Sequence, residues 1–345
     1  IDMRHVLGHC RRFGGFAEEL TELAELVVGK ALDLAWRELV PEFGIPQAED
    51  QTTECQWTVA GLGKFGGIEM GFASDIELML VFSDTGRTTG PVSVSNAVFF
   101  DHLVNAVAAG IVAPQDGIFH VDLRMRPFGQ AGASGVSLLD FEKYYASDGP
   151  AWPYERQSLV KFRCVAGDRT FGAAVTAACH RAIYSAGTFD FSAMRAMRER
   201  QVRQLVRGGS INVKLSDGGI VDCEYAVQAL QLTFGLDMIT LRHSNTLRSL
   251  REAAELNLIN STHCEAIETA YVFLRELIDC LRMVRGNAKD LTLPVQGSRD
   301  WQLLARRMKS IHDSPVSLDE IEEQMAIVRE FSTWVEQRCL KLREE

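Results

Sequence analysis

The segment SDIELMLVF, residues 74–82, admits few folds. In a strand, alternate side chains share a face. Ile76, Leu78, Leu80 and Phe82 then make one wholly apolar face, and Asp75, Glu77, Met79 and Val81 the other. The first face demands a core beneath it. The second opens with two carboxylates side by side, and burying like charges without a partner is strongly unfavourable. A divalent cation is the natural compensation.

FHVDLRMRP, residues 119–127, repeats the pattern, with Phe119, Val121, Leu123 and Met125 apolar and His120, Asp122, Arg124 and Arg126 polar. A neighbouring strand that aligns Asp122 with Asp75 and Glu77 would gather three carboxylates. Such a set can hold one or two Mg²⁺ ions, with substrate phosphates completing the shell. Arg124 and Arg126 on that face would grip phosphate oxygens. Upstream, the Gly66-Gly67 turn would let backbone N–H groups approach a triphosphate with no Cβ in the way. Taken singly, either strand reads as a solvated edge with surface ion pairs. The combination of a Gly-Gly turn, D-h-E and a later h-D-h-R points instead to nucleotidyl transfer.

GLGKFG, residues 61–66, also matches the dinucleotide-binding pattern GxGxxG. That fingerprint needs a helix directly after its third glycine and an acid about 20 positions on. GIEMGFASD opens a helix poorly, and a strand follows, so the match is set aside.

Around these motifs the texture changes twice. Residues 16–39 carry apolar side chains at helical spacing and end near Pro41 and Pro46, which reads as one amphipathic helix. From about Cys55 to Arg126, strand-like WTVAGLG, IELMLVFS and GIFHVDLRMRP enclose the helical stretch 95–113, the skeleton of a small α/β domain. After about Ser137 strands are not expected. Segments 138–146, 154–165, 169–184, 190–207, 220–234, 244–257, 262–285, 299–311 and 318–342 read as helices. The expected organisation is α+β: a helical segment over 1–50, a mixed-sheet domain over 51–168 and an all-α bundle over 169–345.

Charge and cysteine usage narrow the function. The formal net charge is −10, which disfavours DNA or RNA as a partner. Eight cysteines, Cys10 the first, are scattered singly without a CxxC pair and read as reduced core residues of a cytoplasmic protein. No apolar run is long enough for a membrane span. The chain opens on Ile1 rather than Met, as expected of a fragment.

The motifs GLGKFGGIEMGFASDIEL, FHVDLRMRPFGQAGASG, YERQSLVKFRCVAGD, NVKLSDGGIVDCEYAVQ and LRHSNTLRSLREAAELNLI together resemble one family. The chain looks like a DNA polymerase β-type nucleotidyltransferase, and most like one half of the bifunctional glutamine synthetase adenylyltransferase/adenylyl-removing enzymes. The resemblance covers nearly the whole chain. It implies a two-Mg²⁺ nucleotidyltransferase domain followed by a helical bundle, with ATP as substrate. Asp75, Glu77 and Asp122 fall on its metal carboxylates, although the family usually has Asp where this chain has Glu77. Ser74, Gly66, Gly67, Arg124, Arg126 and Lys161 are the expected nucleotide contacts. Glutamine synthetase and a PII-type signalling protein are the implied partners. Asp222 and Glu224 read equally as dipole-matched residues at a helix start and, with Lys214, as the lining of an interdomain cleft. A nucleotide-responsive module with little turnover, and a related enzyme acting on nucleic acid, are the alternatives.

Overall fold

Strands β1 (Trp57–Gly61) and β2 (Ile76–Phe82) form the antiparallel centre of a small mixed sheet, with Trp57 opposite Phe82 and Gly61 opposite Leu78. A computed structural model gives this arrangement and describes residues 4, 13–112, 119–184, 190–312 and 314–341. Cys10, residue 113 of the expected helix, residues 117–118 of the expected strand and residue 342 lie outside them. The chain divides into two compact units: Ala17–Met70 with Ser74–Gly187, and Ile1–Phe16 with Gly71–Ala73 and Thr188–Glu345.

The first unit carries the sheet, whose strand order is β3 (Val121–Asp122), β2, β1, β5 (Arg163–Gly167), with β4 (Gly135–Ser137) also pairing β2. Strands β3 and β4 both run parallel to β2, and β5 runs antiparallel to β1. A parallel neighbour needs a crossover, and helix α3 (Asn96–Gly110) supplies it. Phe99, Phe100 and Leu103 on α3 are fully buried, and Phe100 stacks on Phe82 at 4.9 Å. Met79 and Val81 are as buried as Leu78 and Leu80, so β2 is covered on both faces, as central strands are.

Helix α1 (Gly15–Phe43) joins this unit from Ala17 onward, through a Trp36–Trp57 stack at 5.4 Å. A four-residue turn of helix, α2 (Gly63–Gly66), follows β1. Helices α4 (Leu138–Tyr145), α5 (Pro153–Ser158) and α6 (Arg169–Tyr184) complete the unit. Gly172 lets α6 come close to Thr58 and Cys164, which places α6 with the sheet rather than with the bundle.

Two expectations need correction. The strand expected over 119–126 shrinks to Val121–Asp122. Phe119 takes a positive φ of 51°, Pro127 offers no N–H, and Arg124 and Arg126 bond locally instead of lining a ladder. The helix expected over 154–165 ends at Ser158, gives a single 3₁₀ turn at Leu159–Lys161, and becomes β5. The free edge of β1 outweighs the local helical pattern there, so strands continue beyond Ser137.

The second unit is helical: α7 (Phe191–Leu205), α8 (Ile220–Phe234), α9 (Thr246–Glu255), α10 (Ser261–Arg285), α11 (Arg299–His312) and α12 (Leu318–Lys341). Asp190, Asn245 and Asn260 cap three of these helices with side-chain oxygens, and Gly286 ends α10 with φ 69°. Leu230, Leu250, Leu274, Leu277, Leu281 and Val328 lie at the centre of its core. Among the described residues all seven cysteines are free thiols, six of them buried. No described helix is long and apolar enough to cross a membrane.

Candidate active site

Asp75, Glu77 and Asp122 share one edge of the sheet, where β2 begins. Ala73 turns the chain with a φ of 56°, Ser74 is buried behind it, and Asp75 stands exposed just ahead of the strand. Ile76 N donates to His120 O at 2.9 Å, which sets the parallel register and brings Glu77 opposite Asp122. Residues in register share a face, and Asp75, two positions before Glu77, belongs to the same one.

The glycine turn lies against this edge. Leu62 N donates to Glu77 O at 3.0 Å. A Cβ on Gly63, whose φ is +50°, would land on the Glu77 carboxylate. Glycine is therefore required at 63 both for backbone conformation and for space.

Asp122 is 6% exposed and held by Arg124: the Arg124 backbone N–H donates at 2.9 Å and the guanidinium at 2.6–3.0 Å. Burial pushes the Asp122 carboxyl up, but the Arg124 hydrogen bonds and the charges of Arg124 and His120 outweigh it and hold the group below the ordinary carboxylate value. Asp122 raises the Arg124 pKa most, and the charges of Asp75 and Glu77 also contribute. All three carboxylates thus act on one guanidinium, which is itself 67% exposed.

Among the described residues no three His, Cys, Asp or Glu side chains are gathered closely enough to hold a metal ion. The convergence expected of Asp75, Glu77 and Asp122 is a shared edge rather than a closed cage. The donor set is all carboxylate oxygen, as Mg²⁺ prefers, and an exposed arginine already occupies Asp122 as a positive partner. The residues fit such an ion in chemistry.

Other expected contacts take different roles in this geometry. Gly66 N and Gly67 N donate to Leu62 O and Gly63 O, so both N–H groups are engaged inside the turn. Gly66 serves close packing, since a Cβ there would strike Lys161 O and Gly61 O. Lys161 is buried in an ion pair with Glu69 at 2.8 Å instead of facing solvent. Arg126 donates to Leu123 O at 2.5 Å and to Gly132 O at 3.2 Å, bracing the loop after β3.

In the helical unit Asp222 sits in the first turn of α8. It accepts from Gly218 N at 2.8 Å and from Arg198 at 2.5 Å, and Arg198 also donates to Leu215 O and Ser216 O. This is a buried ion pair that fastens α7 to the start of α8, with the acid placed as the helix dipole favours. Lys214 donates its backbone N–H to Asn212 Oδ1, and Glu224 is half-buried one turn into α8.

Glu69, Arg163 and Arg198 were not expected from the sequence. For Glu69 the available signal was a single charge inside an otherwise apolar stretch, GGIEMGF, because buried charges occur paired.

Residues 8–178 match the family model for glutamate-ammonia ligase adenylyltransferase, and residues 192–336 match that for GlnD PII-uridylyltransferase. A bifunctional glutamine synthetase adenylyltransferase/adenylyl-removing enzyme of Hahella chejuensis is 34% identical over 266 residues, covering 75% of this chain and 27% of that protein. Its namesake in Pasteurella multocida is 34% identical over 278 residues, 77% of this chain and 27% of the relative. That of Chromobacterium violaceum is 32% identical over 310 residues, 88% and 34%.

Proposed function

The chain belongs to the glutamate-ammonia ligase adenylyltransferase family, of whose curated members it spans 27–34% of the length, and from that premise we propose that it transfers AMP to or from a tyrosine hydroxyl of glutamine synthetase. The observation that carries this reading is the parallel register setting Glu77 beside Asp122 at the edge of a glycine turn. The sheet unit is then a nucleotidyltransferase domain of the DNA polymerase β type, with the helical unit as its accessory bundle.

Asp75, Glu77 and Asp122 would hold Mg²⁺, which when bound supplies positive charge to the phosphate oxygens of ATP. Arg124 keeps Asp122 ionised. Its exposure leaves it able to exchange Asp122 for the oxygens of the transferred phosphate. The phenolic oxygen bonds the α-phosphorus, the bond to pyrophosphate breaks, and the phenolic proton passes to water. Inorganic phosphate attacking the AMP–tyrosine bond reverses the modification and releases ADP. Positioning and electrostatics supply most of the rate in such a reaction. A PII-type protein is the proposed regulator, in keeping with the second family match.

The test is mass spectrometry of glutamine synthetase incubated with this chain and Mg-ATP, and of adenylylated glutamine synthetase incubated with the chain and phosphate. The expected result is gain or loss of one AMP, abolished by Asp122→Asn in a folded protein. Activity of Asp122→Asn within a few-fold of the parent would remove Asp122 from the site. The grip of Arg124 on Asp122 favours a second reading, a nucleotide-binding module with little turnover. Mg-ATP binding with no transfer in either direction would select it.

A further inference from the structure

We propose that Arg163 is a positioning residue for this site, holding the glycine turn on which Glu77 rests; the inference depends on the nucleotidyl-transfer reading. The turn, residues 61–67, contains Gly61, Gly63, Gly66 and Gly67. Glycine loses more conformational freedom on ordering than any other residue, so a segment so rich in it needs anchors from outside.

Arg163 provides them with one planar group. It opens β5 opposite Gly61. Its Nε donates to Gly66 O at 2.9 Å and its Nη2 to Phe65 O at 3.1 Å, both at the C-terminal end of α2. Its Nη1 lies 2.7 Å from the Glu25 carboxylate of α1. The guanidinium also lies over the buried Phe65 ring, 6.0 Å from its centre. A fork with fixed geometry can make these contacts together, whereas an ammonium on a flexible stem cannot.

The grip is transmitted to the acids. Gly66 packs on the backbone at Lys161, and the Lys161–Glu69 pair secures the chain just beyond the turn, where Glu69 N donates to Lys64 O at 2.8 Å. On the other side, Leu62 N holds Glu77 O and Gly63 lies under the Glu77 carboxylate. A turn released by Arg163 would shift the surface that aims Glu77. Misplacement of reacting groups by about 1 Å costs on the order of 10²-fold in rate. Arg163 thus acts through the turn, and Glu25 orients Arg163.

The test compares the full chain with Arg163→Ala, Arg163→Lys and Glu25→Gln in AMP transfer, with hydrogen exchange of residues 62–69 measured in parallel. Both Arg163 variants should lose about 10²-fold in kcat with KM for Mg-ATP changed less than about threefold. Millimolar guanidinium should restore part of the rate to Arg163→Ala and none to Arg163→Lys. Exchange should rise at 62–69 while β1 and β2 stay protected, and Glu25→Gln should show the same pattern more weakly. Should Arg163→Ala fail to fold, the other two variants decide. Arg163→Lys at the wild-type rate, or losses that follow only the folded fraction without guanidinium rescue, would overturn the assignment. A wild-type chain inert in both directions would end the parent reading instead. The exchange measurement then decides the anchor by itself: unchanged exchange in the Arg163 variants rejects it, and faster exchange confined to 62–69 upholds it.

Discussion

Glu77 meets three constraints at one position: register with Asp122, a carbonyl bonded to Leu62 N, and a carboxylate lying over Gly63. If it shares a metal with Asp75 and Asp122, Glu77→Asp should keep Mg²⁺ affinity, because donor type and charge are unchanged. Glu77→Gln keeps the size but removes the charge, and should lower Mg²⁺ affinity and transfer rate together. Substitutions at a merely solvated position stay within about 0.5 kcal/mol. Apparent Mg²⁺ affinities of the three proteins separate the cases, and three coincident titration curves would end the ligand role. The position of Glu77 was legible as a charge in an otherwise apolar strand, with Asp75 two positions earlier, just ahead of it. Lys161 was not: its charge suggested a phosphate contact, but Leu159, Val160 and Phe162 around it are core residues, and the charge is matched by Glu69, 92 positions earlier.

Helix α9 illustrates how an element sets the behaviour of a neighbour. His243 lies three residues ahead of it, with its carbonyl accepting from Gln231 and Ser249. Burial first, and then the charge of Arg248, push the imidazole below its ordinary value of 6.5, against a smaller opposing effect of Glu252. The folded state therefore binds a proton here less readily than the unfolded chain. This contribution to stability is present above pH 6.5 and is lost as pH falls through the folded value. Thermal unfolding followed from neutral pH down to about pH 5 should show a decline that is shallower in His243→Gln. Parallel curves for the two proteins would contradict it. Helices such as α8 and α10 were readable because a 3.6-residue period persists over several turns and Asn or Gly marks an end. The short extent of β3 and the presence of β5 were not, because short strands take their identity from partners: Arg163–Gly167 is a strand only beside β1, and β3 stops where Arg124 and Arg126 find local acceptors.

At the scale of the molecule, each of the two units buries apolar side chains of its own. Leu277 is fully buried in the helical unit, so Leu277→Ala should cost about 2–5 kcal/mol, a large part of the ~5–15 kcal/mol that keeps a domain folded. Leu26 on α1 is 66% exposed, and Leu26→Ala should stay within about 0.5 kcal/mol. Urea unfolding of both variants checks the contrast, and similar midpoints would mean that the helical core tolerates the void. The division into a sheet region and a helical region was visible in the sequence as a change of period, but the allegiance of α1 and α6 to the sheet was not, because it depends on Trp36 finding Trp57 and on Gly172 fitting beside Cys164. The sheet's topology also has a temporal side. Thr58 on β1 bonds Ala166 on β5, 108 positions away. A ribosome adds about 5–20 residues per second, so β1 leaves the tunnel roughly 5–20 seconds before its outer partner exists. Throughout that interval the edge of β1 is an unpaired strand edge, open to misassociation. Synthesis of this chain thus has a vulnerable window that closes only with the emergence of residues 163–167.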